Sequence, residues 1–200
     1  MATDEPGLPT GAPSPRARLR VLLLVVAVMA VLTAGWPLLN AAVADRQKLA
    51  AGSLIRVGPG GRDSATIRIG PNWTLRPAET NPRQSYALQR GADLVSISYV
   101  TVLPGHRTAQ IWPGMRRILL LSYPRGSLSR PVAVTSGQGL KGLTGTVTAP
   151  GRTGVVTMFV GPSGTFAIRM MALVPRQDAA AAVAARELFV RSLRFPAARR

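Results

Sequence analysis

The chain has no cysteine and a single histidine, His106, and its 200 residues hold only eight acidic residues against 25 basic ones. Without cysteine there is no disulfide and no thiol for a bacterial lipoprotein anchor, so any exported domain must stand on its hydrophobic core. One histidine and no thiol also leave a zinc site to carboxylates. After residue 44 those are only Asp45, Asp63, Glu79, Asp93, Asp178 and Glu187, none in a metal or glycosidase setting, and there is no Gly-x-Ser-x-Gly elbow. No catalytic residue, metal or cofactor is expected. An envelope hydrolase is the minor alternative, and it would need a deep pocket lined by at least two carboxylates or by His106.

Charge is the second scarcity, because it is missing entirely from Val21 to Leu39. These nineteen residues reach roughly 28 Å as a helix, against a bilayer core of roughly 30 Å. They predict a single transmembrane helix over 21–39. Arg16, Arg18 and Arg20 precede it, which keeps the N-terminus cytoplasmic and sends the rest of the chain outward. Trp36 is the candidate interfacial anchor at the outer end, where an indole is apolar in body and polar at its N–H. The competing reading is a secretory signal cut at Ala42-Val43-Ala44, after Ala44. Both readings give an extracytoplasmic domain.

Residues 1–20 carry Pro6, Pro9, Pro13 and Pro15 and few large apolar side chains, the composition of a disordered cytoplasmic tail. Alanines over 41–50 predict an outward continuation of the helix, and 40–63 as a whole reads as juxtamembrane helix and linker. The Gly58-Pro59-Gly60-Gly61 run breaks it as a plain turn, since the Lys-Ser/Thr of a phosphate loop is absent.

The exported domain is expected over 64–195, with 196–200 as a tail. Ala65, Ile67 and Ile69 alternate with polar residues, as a half-buried strand requires. Trp73 and Leu75 start a second strand, and Tyr86–Gln89 and Leu94–Val102 read as antiparallel neighbours. Asn72-Trp73-Thr74 matches a glycosylation acceptor by pattern alone. From Thr108 to Ser122 the period changes: Ile111, Met115, Ile118 and Leu119 fall on one helical face. Thr108 is the candidate N-cap, and Pro113 and Gly114 should weaken the first turns. Strands return over 132–135, 140–148, 155–160 and 166–174. In the last of these Phe166, Ile168, Met170, Ala172 and Val174 point one way, so it should lie centrally. Asp178 is expected to cap a final helix with Ala182, Phe189 and Leu193 on its packed stripe. Met115, Met158, Met170 and Met171 should fill core.

The order of elements is that of an α+β domain, an antiparallel sheet covered by two helices. The segments "IRIGPNWTL", "YALQRGADLVSISYV" and "ARELFVRSLRF" make Ser64 to Phe195 resemble the PsbP-like α/β/α sandwich, as found in actinobacterial LpqN-like exported or membrane-anchored proteins. That resemblance implies a binding or accessory role without enzymatic activity. The missing cysteine departs from the lipoprotein members and implies anchoring through the chain's own helix.

Three of the 25 basic and two of the eight acidic residues precede Asp45, so the remainder carries a net +16. Such a surface is drawn to anionic lipid, to envelope polymer or to an acidic protein. The bland account is compositional, since only Lys48 and Lys141 are lysines and Arg, Ala, Gly and Pro abound. Nucleic acid is excluded by compartment. Arg116, Arg117, Arg125 and Arg130 form the candidate anion- or partner-binding patch, because guanidinium forks hold phosphate or carboxylate through paired hydrogen bonds. Against it stands the reading that they merely complement a helix dipole. The expected role is binding or scaffolding, with the bilayer and an envelope protein as partners.

Overall fold

The computed structural model describes residues 22–31, 33 and 46–196. The chain divides into two compact units, Met1–Ala44 and Asp45–Arg200. In the first, residues 22–31 and 33 are helical, with Leu22, Leu23 and Leu24 exposed. Among the described residues no helix is long and apolar enough to cross a membrane. The rest of the segment expected to span, with Trp36 and the Ala44 cleavage position, lies outside the described residues.

The described residues of the second unit form eleven strands, β1 (Gln47–Lys48), β2 (Leu54–Gly60), β3 (Asp63–Arg68), β4 (Thr74–Leu75), β5 (Ser85–Arg90), β6 (Asp93–Thr101), β7 (Ser127–Leu128), β8 (Val132–Thr135), β9 (Lys141–Ala149), β10 (Arg152–Val160) and β11 (Phe166–Pro175). Helix α1 (Thr108–Ser122) stands between β6 and β7, and α2 (Ala179–Ser192) follows β11. Nine strands form one antiparallel sheet in the order β1-β4-β5-β6-β11-β10-β9-β7, with β8 also on β9; β2 and β3 form a separate hairpin.

Both faces of the sheet are covered, and the alternation of β11 explains how. Phe166, Ile168, Met170, Ala172 and Val174 enter a core shared with α2 and the β2–β3 hairpin, while Ala167 and Leu173 enter a core shared with α1. A strand buried on both sides must be apolar at nearly every position, and β11 is, apart from Arg169. The central place expected for it is observed: it pairs with β6 on one side and β10 on the other. Met115, Met158 and Met170 are buried as expected, and Met171 packs against the α1 core.

The domain begins earlier than the expected Ser64. Of the segment read as juxtamembrane helix and linker, Gln47–Lys48 and Leu54–Gly60 are strands. Ile55 and Val57 alternate inward while Arg56 faces out, and both apolar side chains join the α2 core. That period-2 pattern outweighs the helix propensity of the nearby alanines. The glycine run closes this hairpin through an irregular register between Val57 and Gly60. Gly58 has φ 113°, and a Cβ there would come within 2.4 Å of the Asp63 carbonyl oxygen, so only glycine fits.

Two helix starts also differ from expectation. Arg107, not Thr108, is the N-cap of α1, because the Gln110 side-chain oxygen accepts the Arg107 amide at 2.8 Å. With its start fixed that way, the helix accommodates Pro113 and Gly114, both exposed, without delay. Asp178 stands at the N-cap of α2 but makes no side-chain cap bond; a short 3₁₀ turn over Arg176–Asp178 leads into the helix instead. The packed stripe of Ala182, Phe189 and Leu193 is buried, with Val190 added.

Candidate functional site

The arginine patch takes shape from the way α1 and the β7–β8 segment meet the sheet. Helix α1 buries Trp112, Met115 and Leu119, which spaces its apolar stripe at i, i+3 and i+7 and turns Arg116 and Arg117 outward. The Trp112 ring lies against β9 at Gly145, where an added Cβ would approach ring carbon Cζ2 to 2.9 Å. A larger residue at 145 would push the helix off the sheet. Beyond α1, β7 pairs with Thr148 and Val147 of β9, and Ser129 then bonds Thr146 in both directions, its amide to the carbonyl and its hydroxyl accepting the amide, each at 2.9 Å. Arg130 and Pro131 are thereby held at the sheet edge beside the helix.

The result is an open groove of about 850 Å³ between α1 and residues 128–131, lined by Arg116, Arg117 and Arg130 together with Leu120, Leu121 and Leu128. Three of the four candidate arginines thus come together. Arg125 does not line the groove; it sits in the exposed turn before β7. The ion pairs among the described residues are Arg76–Glu79, Arg90–Asp93 and Arg186–Glu187, so no carboxylate of the described residues neutralises the groove. Nor do Arg116 and Arg117 complement the helix dipole, since the last turn of α1 contains no basic residue and that effect fades beyond the terminal turn. The groove combines exposed cations with an exposed leucine, Leu121, at 76% of its free surface.

His106 lies in the exposed turn before α1, with Nδ1 3.2 Å from the Leu103 carbonyl oxygen. Among the described residues no cluster of three histidine or carboxylate side chains could hold a metal ion. Two buried polar groups escaped the sequence reading. The Trp112 indole Nε1 has no hydrogen-bond partner, and Arg169 sits inside the sheet with its Nε unpartnered. Arg169 was legible in principle, as the one charged residue in an otherwise apolar strand.

No protein-family model matches the chain, and comparison with curated proteins gives no match. Among solved structures, the chain is similar to the solution structure of cyanobacterial PsbP (CyanoP) from Synechocystis sp. PCC 6803, with a TM-score of 0.52 at 9% identity over 77% of this chain and 99% of that one. A crystal structure from Bacteroides thetaiotaomicron VPI-5482 aligns with a TM-score of 0.33 at 11% identity, over 66% of this chain and 45% of that one. The expected sandwich is thus observed in outline: the domain has a PsbP-like fold, a large antiparallel sheet between helical layers.

Proposed function

We propose that this chain is a single-pass plasma-membrane protein of the bacterial envelope, tied to the bilayer through Val21–Leu39 with its N-terminus in the cytoplasm. Its PsbP-like domain then works outside the membrane as a non-enzymatic binding or scaffolding module of the LpqN-like kind. The groove beside α1 is its contact surface for an acidic envelope protein. One observation carries this reading: Arg116, Arg117 and Arg130 converge on a groove that also exposes Leu121, with no carboxylate of the described residues to answer them. Arginine is the cation suited to such surfaces, because its planar fork gives directed bonds to carboxylates at low hydration cost. The uncharged nineteen-residue segment and the arginines before it support the anchor. Cleavage near Ala44 would release the same domain and leave its groove unchanged.

A second reading, attachment to anionic lipid or cell-wall polymer, draws on the net +16 of the exported part. Photocrosslinking from a benzoylphenylalanine placed at Leu121, in membranes holding the full chain, separates the two. A protein contact gives a discrete adduct. Charge reversal of Arg116 and Arg130 together should reduce it by about tenfold or more, as the loss of charged hydrogen bonds requires, while Arg125→Glu should leave it nearly unchanged. A discrete adduct indifferent to the double reversal would refute the groove assignment, and adducts with lipid or polymer alone would favour the second reading. A protease-accessible tag after Arg200 on intact cells tests the topology.

A further inference from the structure

On the opposite flank of α1 from the arginine groove, the helix and the sheet leave a cleft of about 290 Å³. Its walls are apolar: Val102, Leu103, Ile111, Met115, Ile118 and Met158. Three of these come from one side of α1, two from the loop after β6 and one from β10. The polar side chains along it are Thr101, His106, Gln110 and Arg169, without a carboxylate among them. Leu103 and Ile118 are 71% and 58% exposed, which leaves apolar surface open to solvent around the cleft.

Arg169 is the unusual member. It belongs to β11, the central strand, opposite Met158 of β10 and Ser98 of β6. Its Nη2 donates to the Ser98 hydroxyl at 3.3 Å, its Nε is buried without a partner, and it takes part in none of the ion pairs among the described residues. Burial pushes its guanidinium below the ordinary arginine range. A half-buried cation whose side-chain partner among the described residues is one neutral hydroxyl loses hydration that the strand does not restore, and an apolar residue would fit the strand pattern better. An anion admitted by the cleft would supply the counter-charge that the described residues do not.

We propose that this cleft binds a single-chain amphiphile with a carboxylate head, the head paired with the Arg169 guanidinium and the alkyl chain lying along Ile111, Met115, Ile118 and Met158. A few polar groups fixing the orientation of a mostly apolar ligand is the usual make-up of small-molecule sites, and about 290 Å³ falls just below their range of about 300–1,000 Å³. A carboxylate suits this guanidinium, because its terminal N–H groups donate charge-assisted bonds to carboxylate oxygens. The site lies away from Arg116, Arg117 and Arg130 and stands independently of the partner reading given above.

The test uses the full chain in detergent, irradiated with a decanoate analogue that carries an alkyl diazirine, and peptide mapping locates the label. Labelling is expected on residues 111–118 and at Met158, displaced by decanoate and not by 1-decanol or inorganic phosphate. Arg169→Met should reduce labelling at these positions at least about tenfold. Gly114→Phe should abolish it from the other side: Gly114 lines the cleft in a helical conformation, and an added Cβ meets no atom within 4 Å, so the ring can enter the cleft without disturbing the core. The double reversal of Arg116 and Arg130 should leave labelling intact, which separates this site from the partner groove. Label spread along the chain, displacement by phosphate as effective as by decanoate, or full labelling of either cleft variant would overturn the proposal.

Discussion

The side-chain amide of Gln138 pairs with the backbone of Phe195 as a neighbouring strand would: its oxygen accepts the Phe195 amide at 2.7 Å and its nitrogen donates to the Phe195 carbonyl at 3.3 Å. This clasp joins the loop between β8 and β9 to the segment after α2 and seats the Phe195 ring 5.8 Å from Phe166 in the core. Gln138→Ala removes both bonds and should cost about 1 kcal/mol of stability. Gln138→Glu keeps the acceptor and loses the donor, and should fall between. Urea unfolding midpoints of the two variants against wild type check the order.

A second pair tests the rule that a buried hydroxyl is costly only when left alone. Thr144 and Thr157 are both buried, their hydroxyls 2.9 Å apart across β9 and β10, and the Thr144 hydroxyl also reaches the Val156 carbonyl at 3.1 Å. Thr157→Val leaves Thr144 with that carbonyl and should be close to neutral. Thr144→Val strands the Thr157 hydroxyl and should cost about 1–3 kcal/mol. The double valine variant should recover part of that loss, which a thermodynamic cycle from denaturant curves measures.

Gly154 is a steric requirement of the β10–β11 ladder. A Cβ there would lie 1.8 Å from the Ala172 carbonyl oxygen, and that atom belongs to rigid backbone in the middle of the sheet. Gly154→Ala should therefore destabilise by about 3 kcal/mol or more, beyond the usual 1–3 kcal/mol of overpacking. Gly114→Ala, with open space around its Cβ and better helix propensity, should instead stabilise by up to about 1 kcal/mol. Thermal melts of the pair distinguish space from propensity.

Tyr86 gives a pH signature. Desolvation raises its phenol above the usual value of 10.0, so the folded protein holds that proton more tightly than the unfolded chain. Its contribution is complete below pH 10 and is lost as pH rises through the folded value, because the unfolded state ionises first. Stability measured at increasing pH above 10 should fall more steeply for wild type than for Tyr86→Phe; equal slopes would refute the assignment.

Much of this architecture could be read from the chain because β3, β6 and β11 carry clear alternation and α1 and α2 carry helical stripes. What escaped has physical reasons. In β2, Leu54 is exposed while Ile55 and Val57 are buried, and the Gly-Pro-Gly tail hid a two-residue period only three positions long. β1 and β7 are two residues each, too short to show any period, and exist because neighbouring strands offer them partners. Arg116, Arg117 and Arg130 are close in sequence, and the α1–β7 connection brings them to one groove. Arg125 is as close in sequence, but the turn before β7 leaves it outside the groove lining. Arg169 stands on the face of β11 opposite Phe166, Ile168 and Met170, so the alternation of the apolar face carries no signal of it.

The place of β11 has a consequence for biosynthesis. The ribosome makes the β5–β6 half of the sheet early and the β9–β10 half later, yet the two are joined by strand pairing only through residues 166–175. Until that stretch emerges, two raw sheet edges wait with their amides and carbonyls unpaired, each a template for a foreign strand. Closure must then bridge distant parts of the polypeptide, a slow step for any chain. A nascent form stalled before residue 166 is consequently the species most exposed to aggregation and the one a chaperone would have most cause to hold.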